Sequence, residues 1–271
     1  SMIQAGMVYA GVGTYSCKGP GPQRRNKVDS AMEIRQLFDP DSSTYTYLVW
    51  DTRSREAALI DPVRHQVGRD IRLVRQLGLK LKYTLETHIH ADHITGAGAI
   101  RNILNSIVLV HENSRSKCAD VLVKDGDFVP LGAEKIYIKH TPGHTDSDVC
   151  YLIDGAVFTG DTLLIQGCGR TDFQSGDPGT LYDSITRQLF TLPGETCVYP
   201  GHDYNGRTHS TVAEEQLNNP RIHKGMSRDE FITIMSQLQL APPQQIHEAW
   251  PSNLRCGTPD YNTGNMAGCT L

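Results

Sequence analysis

No apolar run in this sequence approaches the roughly 20 residues that a membrane-spanning helix requires. The chain also has no excess of basic charge, because its formal net charge of -4 gives no electrostatic basis for binding nucleic acid or an anionic membrane. What remains is an ordinary globular composition, with 38% hydrophobic and 21% charged residues. Its 271 residues suffice for one large domain or two smaller ones.

The sequence also lacks cysteines at the close spacings of a zinc site or a redox motif. The seven cysteines are scattered, odd in number and include no Cys-x-x-Cys pair. This spacing indicates a reducing compartment and argues against a disulfide scaffold or a thiolate zinc cluster. Two further absences limit the chemistry: no serine lies in a Gly-x-Ser-x-Gly elbow, and "GAGAIRN" lacks the third glycine of a nucleotide-binding fingerprint.

The first 28 residues contain no Asp or Glu and include "KGPGPQRRNK". Because they lack the pattern of a good transit peptide and the apolar core of a secretory signal, we expect residues 1–30 to be a leader or a flexible segment. Residues 31–257 are predicted to form a single domain, and residues 258–271 a C-terminal tail. The predicted location is cytoplasmic, or mitochondrial if the N-terminal segment is a targeting sequence.

Strand and helix patterns alternate in the first half of the chain. A hairpin is predicted from "TYLVWD" (46–51) and "EAALID" (56–61), followed by a helix over 66–78. The strand "LKYTLET" (81–87), the helical "ITGAGAIRNIL" and the apolar strand "SIVLV" (106–110) form a βαβ unit. Such a unit implies parallel strands covered by helices, so the fold class is α/β.

The second half resembles the first. "DVCYLI" and "AVFTGD" are joined by Asp154-Gly155, a two-residue hairpin signal. A helix is predicted at about 180–191, where Thr180 and Asp183 resemble a capping box, and another begins at Ser227 with Glu230 in the same relation.

Titratable side chains recur just after the predicted strands. Four of them lie within "THIHADH", and the others lie within "HTPGH", "FTGD" and "YPGHD". In α/β proteins, binding and catalytic residues usually lie in the loops at the ends of strands, because the rigid sheet holds these loops in position. Imidazole and carboxylate are metal ligands, so the candidate ligands are His88, His90, Asp92, His93, His144, Asp161 and His202.

The order of these motifs resembles the metallo-β-lactamase superfamily, whose fold is an αββα sandwich. That superfamily includes thioester hydrolases, β-lactamases, nucleases and oxygenases, so membership alone does not fix a function. The seven side chains could hold two metals, with His88, His90 and His144 on one, Asp92, His93 and His202 on the other, and Asp161 as a bridge. A two-metal site suits thioester or lactam hydrolysis.

A subset of the same residues supports a different chemistry. Two imidazoles and one carboxylate, here His88, His144 and Asp161, form the facial triad of non-haem Fe(II) oxygenases, which leaves positions open for substrate and dioxygen. The types of ligand do not separate this scheme from the two-metal scheme. A catalytically silent sulfur or metal sensor of the same fold is a third hypothesis, but the complete set of ligands argues against it.

A closer resemblance favours the oxygenase. "GCGRTDFQSGDPGTLYDSI" (167–185), "FTLPGETCVYPGHDYNG" (190–206), "PQQI" (243–246) and "NLRCG" (253–257) are similar to persulfide dioxygenases. So is "YTYLVWDTRSREAALIDPV" (45–63), and the similarity extends from about Ile34 to Gly257. Glyoxalase II-type thioester hydrolases share a related "GCG" stretch, but "GRTDFQ" and "HDY" favour the dioxygenases.

The resemblance implies one Fe(II) per chain, bound by His88, His144 and Asp161. It implies oxidation of glutathione persulfide by O2 to sulfite and glutathione, and a homodimer would be unsurprising. The remaining candidates would orient ligands or donate hydrogen bonds during catalysis: His90, Asp92, His93 and His202. Arg170 is the candidate partner of a glutathione carboxylate, although a structural salt bridge is almost as good an interpretation, and Tyr204 is a candidate for the tripeptide groove. The alternative function is a dinuclear, glyoxalase II-like thioester hydrolase.

Overall fold

The computed structural model describes residues 31–243 and 245–258. The predicted leader, residues 1–30, and all of the predicted tail except Thr258 lie outside the described residues. None of the described helices is both long and apolar enough to span a bilayer.

The first sheet contains six strands in chain order. The second strand is antiparallel to the first and to the third, whereas the third to the sixth run parallel. Both the hairpin and the parallel pairing predicted from the βαβ pattern are therefore confirmed. The elements are β1 (Met32–Asp39), β2 (Thr44–Asp51), β3 (Glu56–Ile60), α1 (Val67–Gln76), β4 (Lys80–Leu85), α2 (Ala97–Leu104), β5 (Ile107–His111) and β6 (Val121–Val123).

The second sheet also has six strands: β7 (Phe128–Leu131), β8 (Glu134–His140), β9 (Val149–Ile153), β10 (Ala156–Gly160), β11 (Cys197–Pro200) and β12 (Ser210–Thr211). Their order in the sheet is β12-β11-β10-β9-β8-β7, and only β10 and β11 pair in parallel. The hairpin predicted at Asp154-Gly155 joins β9 to β10. Both residues have positive φ angles, 46° and 76°, as a tight hairpin turn requires.

The described part of this half of the chain also contains α3 (Pro178–Ser184), between β10 and β11, and, after β12, α4 (Val212–Asn218), α5 (Arg228–Ser236) and α6 (Ile246–Asn253). The predicted capping box of Ser227 and Glu230 is confirmed at the start of α5. The one predicted from Thr180 and Asp183 is wrong. Asp177 caps α3 instead, because its carboxylate accepts from the Thr180 amide while Pro178 occupies the first turn.

Three apolar layers hold the elements together. The two sheets pack face to face through aromatic side chains, among them the fully buried Tyr47, Tyr151 and Phe158. A second cluster joins the outer face of the first sheet to α1 and α2, and a third joins the second sheet to α3 and α5. The result is the αββα sandwich that the sequence resemblance implied.

The expectation from the cysteine spacing is wrong in one respect. Cys118 and Cys256, separated by 138 residues, form a disulfide with a Cα–Cα distance of 6.0 Å. Spacing along the chain could not indicate this pair, because the fold alone brings the loop before β6 against the segment after α6. Cys150 and Cys168 are buried free thiols.

Candidate metal centre

Four loops bring the predicted ligands together at one edge of the sandwich. The Nε2 atoms of His88 and His144 lie 3.7 and 3.4 Å from Asp161 Oδ2. The Nε2 atom of His202 lies 3.5 Å from Asp161 Oδ1 and 3.4 Å from Asp92 Oδ2. Asp161 therefore lies at the centre of a cluster that residues from four separate strand ends assemble.

Hydrogen bonds to the other ring nitrogens orient the two imidazoles next to Asp161. His88 Nδ1 lies 2.9 Å from Thr87 Oγ1, and that hydroxyl donates to Asp61 Oδ2 at 2.7 Å. Because the Thr87 hydroxyl donates its proton to Asp61, Nδ1 of His88 is the donor in its hydrogen bond with Thr87 Oγ1. His144 Nδ1 donates to the carbonyl oxygen of Arg170 at 2.7 Å. Both Nε2 lone pairs are thus left facing Asp161, as metal-binding histidines require.

The electrostatics of this group suit a divalent metal. Burial, together with His90 and His144 nearby, holds the pKa of His88 well below its usual value, so its imidazole is neutral. Asp161 Oδ1 is buried and accepts no hydrogen bond. The potential ligand atoms of His88, His144 and Asp161 all lie within 4.8 Å of one another. Two imidazoles and one carboxylate therefore fit a facial-triad metal site.

A second group, His90, Asp92 and His93, adjoins the first. His93 Nδ1 lies 2.9 Å from Asp92 Oδ2 and 3.2 Å from Thr44 Oγ1. The other ring nitrogen of His93, Nε2, is buried without a hydrogen-bond partner, and so is Nδ1 of His90. Both nitrogen atoms are therefore available as ligands for a second metal ion.

His90 differs from the other histidines because two buried carboxylates bind it. Its Nε2 lies 3.1 Å from both Asp61 Oδ1 and Glu86 Oε2. Burial disfavours the charged imidazole, but Asp61 and Glu86 outweigh it and raise the pKa of His90 well above its usual value. Neither carboxylate is among the candidates predicted from the sequence. Their positions at the ends of β3 and β4 were the available signal.

The substrate candidates lie in different surroundings. The Tyr204 ring is 73% exposed and stacks parallel to His202, with 6.1 Å between ring centroids. The Arg170 guanidinium instead binds both carboxylate oxygens of Asp172, at 2.7 and 2.8 Å, and the Ala241 carbonyl at 2.6 Å. Its donors already have partners, as the structural salt-bridge interpretation of Arg170 expects.

One residue that the sequence analysis assigned no role supports the whole ligand loop. The side-chain amide of Asn253 donates to the carbonyl oxygens of His90 and His93, at 2.9 and 2.8 Å. Its Oδ1 accepts from the Thr95 amide at 2.8 Å. Asn253 begins the stretch "NLRCG", but its contacts span about 160 residues of chain, so no local pattern indicated this role.

The comparisons with known proteins agree with this fold. The family model described as the metallo-beta-lactamase superfamily matches residues 39–202. The chain is 48% identical over 226 residues to the human persulfide dioxygenase ETHE1, mitochondrial, an alignment that covers 83% of this chain and 88% of that protein. The crystal structure of ETHE1 from Myxococcus xanthus superposes with a TM-score of 0.81 at 52% identity, covering 83% of this chain and 99% of that one.

A more distant relative is the hydroxyacylglutathione hydrolase of Francisella philomiragia. It is 34% identical over 177 residues, which cover 64% of this chain and 68% of that protein. The chain belongs to the persulfide dioxygenase family of the metallo-β-lactamase superfamily.

Proposed function

We propose that this protein is an iron-dependent persulfide dioxygenase that converts glutathione persulfide, O2 and water into glutathione and sulfite. The terminal sulfur gains both atoms of O2 and a water oxygen, and the S–S bond breaks to release glutathione as its thiol. The observation that carries the proposal is the convergence of His88, His144 and Asp161, in a chain 48% identical to persulfide dioxygenases.

His88, His144 and Asp161 are the residues that would hold one Fe(II). Bound there, Fe(II) supplies the open-shell centre that lets O2 react with a closed-shell sulfur anion. The Thr87 hydroxyl and the Arg170 carbonyl keep the two imidazoles in the tautomer that such binding needs.

The neighbouring polar side chains are proposed to orient substrate and protons. His202, whose Nδ1 donates to the Ser43 carbonyl at 3.1 Å, presents Nε2 to the ligand cluster. Next to this cluster lie His90, Asp92 and His93. Tyr204 is the proposed contact for the glutathione part of the substrate, whereas Arg170 supports the site through its contacts with Asp172 and the segment at 240–241.

The alternative is a dinuclear thioester hydrolase of the glyoxalase II type. One observation favours it: ligand atoms of His90, Asp92 and His93 also lie within 4.8 Å of one another. A second metal there would generate a hydroxide for attack on a thioester carbonyl. The dioxygenase is the better proposal, because the hydrolase relatives are less similar and cover less of the chain.

Metal analysis under anaerobic conditions, followed by oxygen uptake with glutathione persulfide, tests the proposal. We expect about one iron per chain and persulfide-dependent oxygen consumption with sulfite formation. Protein loaded with zinc should consume no oxygen, since zinc has no accessible redox step. Two zinc per chain, no uptake after Fe(II) reconstitution and turnover of a glutathione thioester would establish the hydrolase instead.

Three further properties are proposals. Residues 31–257 would be a single protease-resistant domain, which limited proteolysis tests. A homodimer is tested by light scattering. A mitochondrial location is stated for the human relative by its name, and fusing residues 1–30 to a reporter tests whether this segment directs proteins into mitochondria.

A further inference from the structure

The turn between β1 and β2 contacts two of the loops that carry the candidate site residues. Its Ser43 carbonyl accepts from His202 Nδ1, and Thr44 pairs with His202 through the backbone. The side chain of Thr44, which is buried, reaches the other loop, where its Oγ1 lies 3.2 Å from His93 Nδ1. One turn therefore fixes two imidazoles beside the proposed iron ligands.

Asp39, at the end of β1, anchors this turn. Its Oδ2 accepts from the Ser42 amide at 3.0 Å and from the Ser42 hydroxyl at 2.6 Å, and its Oδ1 accepts from Gln66 Nε2 at 2.8 Å. Burial opposes ionisation of Asp39, but the hydrogen bonds from Ser42 and Gln66 outweigh it and hold the pKa of Asp39 below its usual value. Asp39 is therefore a carboxylate, which accepts hydrogen bonds and donates none.

The direction of the next hydrogen bond follows from that carboxylate. The Ser42 hydroxyl has one proton and donates it to Asp39, so in its 2.8 Å contact with Thr44 it must accept. Thr44 thus donates its own hydroxyl proton to Ser42. Thr44 Oγ1 also lies 3.3 Å from Asp92 Oδ2, but its contact with Ser42 is the shorter of the two.

His93 lies at the end of this chain of hydrogen bonds. Because the Thr44 proton is directed to Ser42, Thr44 Oγ1 accepts from Nδ1 of His93, and Asp92 Oδ2 accepts from the same nitrogen at 2.9 Å. With its proton on Nδ1, the ring presents the lone pair of Nε2. That nitrogen is buried and has no hydrogen-bond partner among the described residues, so it is available to a molecule that enters the site.

The proposed reaction supplies such a molecule, because it consumes water. When both atoms of O2 have joined the terminal sulfur, the product is a sulfinate that is still bonded to the glutathione sulfur. The water oxygen then bonds to the sulfinate sulfur, the S–S bond breaks, and its electron pair remains with the glutathione sulfur. One water proton goes to that sulfur and the other stays with the sulfite, so that sulfinate and water give glutathione and hydrogen sulfite.

We propose that His93 accepts a hydrogen bond at Nε2 from this water and that Thr44 positions His93 to do so, an inference that rests on the function proposed above. Asp39 and Ser42 act through Thr44, because they keep its hydroxyl oxygen an acceptor toward His93. The buried lone pair of Nε2 orients the water for attack on the sulfinate sulfur.

Nuclear magnetic resonance tests the direction of this chain without turnover. The full chain, labelled with nitrogen-15 at its histidines, is loaded with one equivalent of zinc, which is diamagnetic and has no accessible redox step. Loss of signals in His93→Gln identifies those of His93. We expect a proton on Nδ1 of His93 and none on Nε2. A proton on Nε2, or zinc bound to it, would overturn the proposal.

Thr44→Val tests the positioning role in the iron-loaded protein. Valine is similar in shape but lacks the hydroxyl, so Asp92 would remain as the acceptor for His93 Nδ1. With glutathione persulfide, we expect kcat for sulfite formation to fall about tenfold or more, with one iron per chain and KM nearly unchanged. Oxygen uptake should exceed sulfite formation, because the sulfinate accumulates. An unchanged kcat, with oxygen uptake equal to sulfite formation, would overturn the assignment of Thr44.

Two further variants separate the hydrogen bond from a general loss of packing. Thr44→Ser retains the hydroxyl and should recover most of the activity that Thr44→Val loses. Thr84→Val is the matched control, because Thr84 is also fully buried and its hydroxyl pairs at 2.9 Å with Ser106, just before β5. This control should keep the kcat of the wild type. No recovery in Thr44→Ser, or an equal loss in Thr84→Val, would contradict the positioning role.

The two kinds of measurement also separate this inference from the proposed function. If the iron-loaded wild type consumed no O2 with glutathione persulfide, the proposed function would fail. The resonance spectrum of the zinc-loaded protein would still decide whether the chain from Asp39 leaves Nε2 of His93 without a proton.

Discussion

Gly169 lies so close to His144 that a side chain there would disturb the imidazole. A Cβ atom built on Gly169 would lie 3.0 Å from His144 Nδ1 and 2.2 Å from the backbone oxygen of Asp161. The Gly169 amide also donates to that Asp161 oxygen at 2.7 Å. Two of the three proposed iron ligands therefore depend on the same glycine.

Gly169→Ala should accordingly lower iron content and oxygen uptake at least tenfold, because the added methyl group must displace either the Asp161 backbone or the His144 ring. Metal analysis and circular dichroism of the purified variant measure the effect. Gly167→Ala, in the same "GCG" stretch, is the control, since its nearest neighbour would be 3.9 Å away. One iron per chain and full activity in Gly169→Ala would contradict the prediction.

His90→Ala should leave about one iron per chain, whereas His88→Ala and Asp161→Ala should lose the metal. Nε2 of His90 is hydrogen-bonded to the carboxylates of Asp61 and Glu86, so the proposed role of His90 is to support the site. Replacing such a residue typically lowers metal affinity or activity about 10–100-fold without removing the site. Mass spectrometry measures the number of metal ions per chain in each variant. A wild type with two metals that falls to one in His90→Ala would favour the two-metal alternative.

The candidate ligands could be predicted from sequence because they are concentrated in short motifs at strand ends. His88, His90, Asp92 and His93 lie within six positions, and periodicity alone placed a strand before them. The βαβ unit was predictable for the same reason, since its hydrophobic pattern is local.

The supporting contacts could not be predicted, because they join distant parts of the chain. Asn253 reaches carbonyls about 160 residues away, and Cys118 pairs with Cys256 across 138 residues. Arg170 illustrates a different difficulty. Its partner Asp172 is only two residues away, so the sequence allowed a salt bridge and a substrate contact equally, and only geometry distinguishes them.

Reduction of the Cys118–Cys256 disulfide should destabilise the protein. Closing a loop this long restricts the unfolded chain, and a disulfide typically contributes about 2–4 kcal/mol to the free energy of unfolding. Chemical denaturation of the iron-loaded protein, with and without dithiothreitol, measures the difference.

Cys118→Ser distinguishes this disulfide from general effects of the reductant. The variant should be less stable than the oxidised wild type, and the contribution that this disulfide makes to the reductant effect should be absent. Cys150→Ser removes a free, buried thiol and should leave the response to dithiothreitol intact. Equal stability of Cys118→Ser and the oxidised wild type would show that the disulfide contributes nothing.

A buried carboxylate on α1 should make stability depend on pH. Asp70 is fully buried, its Oδ1 accepts from Arg69 Nε at 2.8 Å, and its Oδ2 has no hydrogen-bond partner. Burial raises the pKa of Asp70 to about 6, against the opposing effect of Arg69. Folding therefore favours the protonated acid. Because the unfolded chain releases this proton near pH 4, the contribution of Asp70 to stability falls as the pH rises from about 4 to 6, by up to about 3 kcal/mol.

Asp70→Asn should remove this penalty, because the amide carries no charge and its oxygen can still accept from Arg69. The variant should be more stable than the wild type by about 1–3 kcal/mol at pH 7.5, and the gain should vanish by pH 4. Paired denaturation curves across this range measure the difference and cancel the pH dependence of metal binding. Asp41→Asn, at an exposed turn, should show no such trend. A difference between Asp70→Asn and the wild type that stays constant from pH 4 to 7.5 would mean that Asp70 does not titrate in this range.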